Sequence, residues 1–161
     1  MKTFIQHIKN EAVSTNDKSL KEQLQEIFSI LFALFWVYNT NHWQAKGENY
    51  YSKHLLFQKL YSELTTQYDD LAEKMVSYFG EDAIDKIDML ASSSKWVQKW
   101  NKEKDIITMS LNAEQDLQIK LKIAYDKLKK ENKLSLGLDD FIMSLANEHE
   151  KNIYLLGQIK K

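Results

Sequence analysis

The chain has no cysteine, no proline, and only four glycines and four histidines in 161 residues. Without cysteine it can form no disulfide, no thiolate metal site and no cysteine nucleophile, a composition that suits a reducing cytoplasm. Without proline, and with glycine confined to Gly47, Gly80, Gly137 and Gly157, tight turns must be few. That argues against a turn-rich all-β fold and for long helices. Charge of one sign is also missing: 22 basic residues face 23 acidic ones, for a net charge of −1. No global field draws a single chain to nucleic acid. The N-terminus lacks the charged, apolar and small-residue order of a signal peptide, so a cytoplasmic location is expected. Long apolar runs are scarce too. The longest, Ile27 to Tyr38, is twelve residues with Ser29 its one polar member, whereas a membrane-spanning helix needs about 20. The run suits a helix buried on several sides, in a bundle and against another subunit.

What the chain does have is helical periodicity. Its length fits one domain spanning residues 1–161, and its 43% hydrophobic content is enough for a core without covalent staples. Residues 1–16 are weakly periodic and are read as a mobile N-terminal segment. Asp17 or Ser19 is expected to cap a first helix running to about Trp43. One stripe on it is Ile27, Ile30, Leu31, Leu34 and Tyr38; a second is Phe28, Phe32, Phe35 and Trp36. A second helix is expected from Tyr50 or Ser52 to about Phe79, with Phe57, Leu60, Leu64, Tyr68, Leu71 and Met75 inward and Gly80 ending it. Residues 81–103 form a connector with a short helical pattern that Ser92, Ser93 and Ser94 interrupt. A third helix is expected from about Asp105 to Glu131, and a fourth from about Asp139 to Ile159, its stripe including His149 and Asn152. Two helical hairpins joined by a long crossover with a short helix predict an all-α, ferritin-like four-helix bundle.

Candidate ligands gather in one stretch. His42 ends the first helix and His54 opens the second; Asp69 and Glu73 lie four residues apart on the second, on one face. Two imidazoles and two carboxylates suit Fe(II), Mn or Zn; with no thiol and oxygen-rich donors, iron is the first choice. His54 and Asp69 are fifteen residues apart on one helix, or about 22 Å at 1.5 Å per residue. One ion cannot bind both within one chain. Either the two pairs serve different sites, or two chains run antiparallel and each histidine pair meets the other chain's carboxylates, as a two-fold dimer allows.

The stretch His42 to Lys74 resembles the signature of the Dps family, the mini-ferritins. The resemblance rests on His42-Trp43, Gly47, His54 twelve residues after His42, and Asp69-Asp70-Leu71-Ala72-Glu73. It implies a hollow shell of twelve subunits with ferroxidase centres between two-fold-related chains. His42 and His54 would come from one subunit, and Asp69 and Glu73 from its partner, with Glu73 able to bridge two irons and Trp43 beside the site. It further implies Fe(II) oxidation, preferably by hydrogen peroxide, and storage of ferric mineral. In one place the chain departs from the pattern. Four residues after the second histidine the family usually carries a carboxylate; here the residue is Gln58. A neutral amide is a weaker ligand, so one iron position is expected to be weak.

Other residues take plainer readings. His149, flanked by Glu148 and Glu150, lacks the Glu-x-x-His spacing of bundle di-iron proteins and is read as a satisfied core or interface histidine. His7 is read as a surface residue. Tyr50, Tyr51, Tyr61 and Tyr68 are read as core or interface. Asp139 and Asp140 are read as the cap of the fourth helix; the resemblance offers them a place in three-fold pores. DNA binding in the family often uses a lysine-rich tail. Here Lys2, Lys9 and Lys18 are offset by Glu11 and Asp17, although the chain ends Lys160-Lys161. Phosphate affinity follows the number of cations engaged, so a gel-shift series in rising salt should show weak or no DNA binding at physiological ionic strength.

Overall fold

The computed structural model describes residues 15–160, with side chains from Leu20 onward. His7 and residues 1–14 of the expected N-terminal segment lie outside the described residues. The elements are α1 (Thr15–Gln44), α2 (Tyr50–Phe79), a 3-10 turn (Glu81–Ala83), α3 (Lys86–Trp100), α4 (Ile106–Lys130) and α5 (Leu136–Lys160). The four long helices form the expected bundle. α1 packs on α2 and on α4, α4 on α5, and the crossover helix α3 lies on α1. No helix among the described residues is long and apolar enough to cross a membrane.

The apolar stripes supply the core. Ile27, Ile30, Leu31, Leu34 and Tyr38 are buried on α1, facing Phe57, Leu60, Leu64, Leu71 and Met75 of α2. Burying one such side chain stabilises the fold by about 1.5–3 kcal/mol. Two side chains of α1 also hold the crossover in place: Lys21 Nζ donates to the Asp82 carbonyl at 2.8 Å, and Gln25 Nε2 to the Ala83 carbonyl at 3.0 Å.

Four local expectations are corrected. Asp17 and Ser19 do not cap α1, because the helix already runs through both from Thr15. The triple serine does not interrupt α3. Ser93 is buried, and its hydroxyl donates to the Met89 carbonyl at 2.8 Å, which satisfies it inside the helix. Asp139 and Asp140 do not cap α5. Ser135 does, its Oγ accepting the Leu138 N–H at 3.2 Å, which leaves Asp139 in the first turn. On α2 the inward position expected of Tyr68 belongs to Gln67, which is buried. Tyr68 instead packs edge-on against Phe28, Phe32 and Phe35.

Aspartates begin the two middle helices. Asp85 accepts the N–H groups of Ile87 and Asp88, both at 2.9 Å. Asp105 accepts the Thr108 N–H at 2.9 Å and its hydroxyl at 2.6 Å. The bonds to Thr108 hold the Asp105 carboxyl below the usual aspartate range. A lowered value stabilises the fold above the unfolded pKa, and that gain is lost as pH falls through the folded one. Asp105→Ala should therefore destabilise the protein by about 1 kcal/mol near neutrality, and the difference from the parent should narrow in acid. Thermal denaturation across a pH series checks both.

Candidate metal centre

The turn from Ala45 to Asn49 brings the end of α1 against the start of α2. Gly47 and Asn49 take left-handed conformations, φ +74° and +60°, which suit glycine and asparagine. The two predicted histidines meet across this turn. Their rings stack with centroids 3.7 Å apart at 24°. The His42 Nδ1 lies 2.8 Å from the His54 carbonyl, and the His54 Nδ1 lies 3.0 Å from the His42 carbonyl. A carbonyl oxygen only accepts, so each Nδ1 carries the hydrogen. That leaves each Nε2 as the nitrogen available to another partner, which is how a backbone carbonyl orients a metal-binding imidazole. Tyr61 packs edge-on against His42 with centroids 5.4 Å apart, and Tyr50 lies at 5.3 Å from His54.

The other predicted ligands lie elsewhere along α2. Gln58 is exposed one turn beyond His54; Asp69 and Glu73 are exposed near the far end of the helix. α2 is unbroken between them, so the histidine and carboxylate pairs stay about 22 Å apart. Among the described residues no three histidine or acidic side chains gather closely enough to hold a metal within one chain. Between the pairs the surface is aromatic: Phe32, Phe35, Tyr61 and Tyr68 are half-buried, and Phe35 stacks edge-on against Tyr61 at 6.4 Å and Tyr68 at 5.8 Å. Trp36 and Trp43 stand 47% and 64% exposed at its edge, an area of apolar surface that a soluble monomer seldom leaves bare.

A second polar assembly, inside the bundle, was not anticipated. Tyr38 of α1 donates its hydroxyl to Oε1 of Glu114 on α4. The other oxygen of Glu114 lies 2.5 Å from Nδ1 of His149 on α5. His149 Nε2 is 3.1 Å from Oε1 of Gln67 on α2, whose Nε2 donates to Glu148 at 2.7 Å. Tyr38, Glu114 and His149 are fully buried. Burial raises the Tyr38 hydroxyl well above the ordinary phenol range, and the charge and hydrogen bond of Glu114 add to the rise. The sequence reading of His149 as a satisfied core histidine is borne out. Glu114 and Gln67 were missed, yet each occupies an apolar stripe position, Glu114 three residues before Leu117 and Gln67 three after Leu64.

The family model of the ferritin-like domain matches residues 21–161. This chain belongs to the ferritin-like family. Its fold is that of the Dps proteins, as the resemblance in the sequence implied. The structure of Dps from Thermosynechococcus elongatus superimposes with a TM-score of 0.77 at 18% identity, covering 94% of this chain and 96% of that one. A Dps protein from Vibrio cholerae O1, described as a member of a broad superfamily of ferritin-like diiron-carboxylate proteins, gives 0.76 at 15% identity, covering 91% and 92%. In sequence, the general stress protein 20U of Bacillus subtilis is 40% identical over 40 residues, 25% of this chain and 28% of that protein. The chain spans less than half the length of the curated relatives it matches.

Removing the acceptor from the core should be costly. Glu114→Ala would strand the Tyr38 hydroxyl and the Nδ1 of His149 without a partner, and a buried pair broken in this way loses about 3–5 kcal/mol. Chemical denaturation should show the loss, with a smaller one for Tyr38→Phe.

Proposed function

We propose that this protein is a Dps-like mini-ferritin that oxidises Fe(II) at sites shared between two-fold-related subunits and stores ferric iron inside a hollow shell. Peroxide, oxygen or both serve as oxidant, and the role is protection against oxidative stress in the cytoplasm. The observation that carries the reading is the reciprocal histidine pair. Two imidazoles, each fixed by the other's backbone carbonyl through Nδ1, stack on one another beside Tyr61 of the aromatic face, and each keeps its Nε2 available to a further partner. A donor pair oriented before metal arrives loses little freedom on binding.

The partner's carboxylates complete the site. Helix α2 keeps Asp69 and Glu73 about 22 Å from the histidines of their own chain. An antiparallel second copy across the aromatic face places its Asp69 and Glu73 opposite His42 and His54, and two-fold symmetry creates two equivalent sites. Iron is the substrate. The ligand set per site is His42, His54 and Gln58 from one subunit with Asp69 and Glu73 from the other, a mixed nitrogen and oxygen set suited to Fe(II). Carboxylates stabilise Fe(III) as charge builds on oxidation. The di-iron carboxylate character of the Vibrio cholerae neighbour supports this chemistry, and the proposed shell is one of twelve subunits. DNA is at most a weak partner.

Gln58 favours a second reading. It is exposed one turn beyond His54, at the site's edge, and brings no charge to it. A shell with weakened ferroxidase activity, working chiefly as a metal-binding or DNA-protecting coat, is the alternative. Stopped-flow absorbance of Fe(II) oxidation separates the two: no acceleration over buffer, with either oxidant, would sink the ferroxidase reading. His54→Ala and Glu73→Ala should each abolish rapid oxidation while leaving assembly intact, and parental rates in either would overturn the ligand assignment. Gln58→Asp should tighten metal binding. A crystal soaked in Fe(II) should give anomalous scattering between two-fold-related chains.

A further inference from the structure

α1 packs closely on α2 and on α4, and α4 on α5, but α2 and α5 stand apart. Only side chains bridge their gap: Gln67 donates to Glu148 at 2.7 Å, the hydroxyls of Tyr78 and Ser135 meet at 2.5 Å, and Lys74 lies over the Phe141 ring at 5.3 Å. Two clefts of about 420 and 430 Å³ open along the gap, and they share Asp70, Phe141 and Ser144, so they form one groove. Each is of a size that holds a small molecule, about 300–1,000 Å³. Five carboxylates line the groove against three lysines, and Lys59 is already paired with Glu63 at 2.6 Å. Asn152 lines it too. That residue is only 3% exposed, yet its side-chain amide makes no hydrogen bond among the described residues. The amide is not sealed in, so what access it keeps is to the groove. Buried polar groups normally have a partner; this one faces the space a ligand would fill.

The carboxylates are spread out. Glu63 and Asp70 lie two turns apart on α2, about 10 Å, and no three acidic or histidine side chains among the described residues gather closely enough to hold a metal ion. A single point charge finds no cage here. A cation whose charges are spaced along a flexible chain finds a partner for each. We infer that the groove between α2 and α5 binds a linear aliphatic polyamine, with its ammonium groups on the spaced carboxylates and one of them on Oδ1 of Asn152. Ammonium groups only donate, and carboxylate and amide oxygens only accept, so every contact is matched. The methylene spacers lie against the half-buried ring of Phe141. The groove is separate from the candidate metal centre. Glu63 and Asp70 follow Tyr61 and Tyr68 by two residues each, about 200° around the helix, so a second copy docked on the aromatic face leaves the groove open. The inference stands independently of the ferroxidase reading.

The test titrates spermidine into the iron-free, full-length protein at fixed physiological ionic strength, and follows heat and melting temperature together. One saturable site per chain is expected, with a rise in melting temperature, because a ligand that binds only the folded state stabilises it. Neither saturable heat nor a shift in melting overturns the proposal. Asp70→Asn removes an exposed charge and should weaken binding several-fold while leaving the fold intact. Asn152→Ala should weaken it as well. Glu22→Gln, which removes an exposed carboxylate from α1, should bind spermidine like the parent. Parental affinity in Asp70→Asn, or equal weakening in Glu22→Gln, overturns the site. Magnesium at matched charge concentration separates the groove from a diffuse field. It should not reproduce the melting shift, and an equal shift means counterion screening alone and overturns the proposal. Should Asn152→Ala fail to fold, Asp70→Asn combined with Asp140→Asn decides, since both residues are exposed. Lost saturation in that double variant supports the groove, and retained saturation overturns it.

Discussion

A carboxylate buried at the centre of four helices cannot be left unpartnered; stranding it costs several kcal/mol. Glu114 escapes that penalty only when Tyr38 reaches one of its oxygens and His149 the other, and His149 in turn meets Gln67. Each of the four long helices contributes one member. Apolar stripes alone tolerate slippage, since a leucine shifted by a turn still finds apolar neighbours. The polar chain does not tolerate it: a shift of any helix breaks a hydrogen bond between buried groups. The interior thereby fixes the register of α1, and with it the position of His42 one turn beyond Tyr38.

The large features were readable in the chain because they rest on periodicity and length. The stripe from Ile27 to Tyr38 is buried as expected, and so are Ile142, Leu145, His149, Asn152 and Leu156 on α5. The separation of His54 from Asp69 follows from helix rise once α2 is unbroken. What escaped the sequence were exchanges between polar and aromatic neighbours. Tyr68 was read into the inward stripe of α2, and Gln67 was not singled out. Their places are reversed because an aromatic layer on α1 offers Tyr68 ring contacts, while His149 offers Gln67 a partner. Helix starts were similarly blurred. Ser135 and Asp139 both have capping side chains, and only the backbone path decides between them.

The histidine pair shows how local and distant information divide. Spacing placed His42 and His54 at facing helix ends, but their mutual carbonyl contacts depend on the exact path of the turn, which composition does not reveal. Asp69 and Glu73 were legible only as a pair sharing a helix face. Nothing within one chain brings them to the histidines, because the unbroken α2 holds the two pairs about 22 Å apart.

The turn between α1 and α2 has a consequence for how such chains can vary. Its two left-handed residues, Gly47 and Asn49, close the hairpin with five residues. Since each histidine is held by the other's backbone, the turn acts as a spacer whose length is fixed even where its side chains are not. Substitution at Lys46 or Glu48 leaves the two imidazoles where they are. Insertion or deletion of a single residue would rotate the start of α2 by about 100°, turning His54 away from His42. In such a hairpin length is the inherited quantity, and drift in composition is cheap.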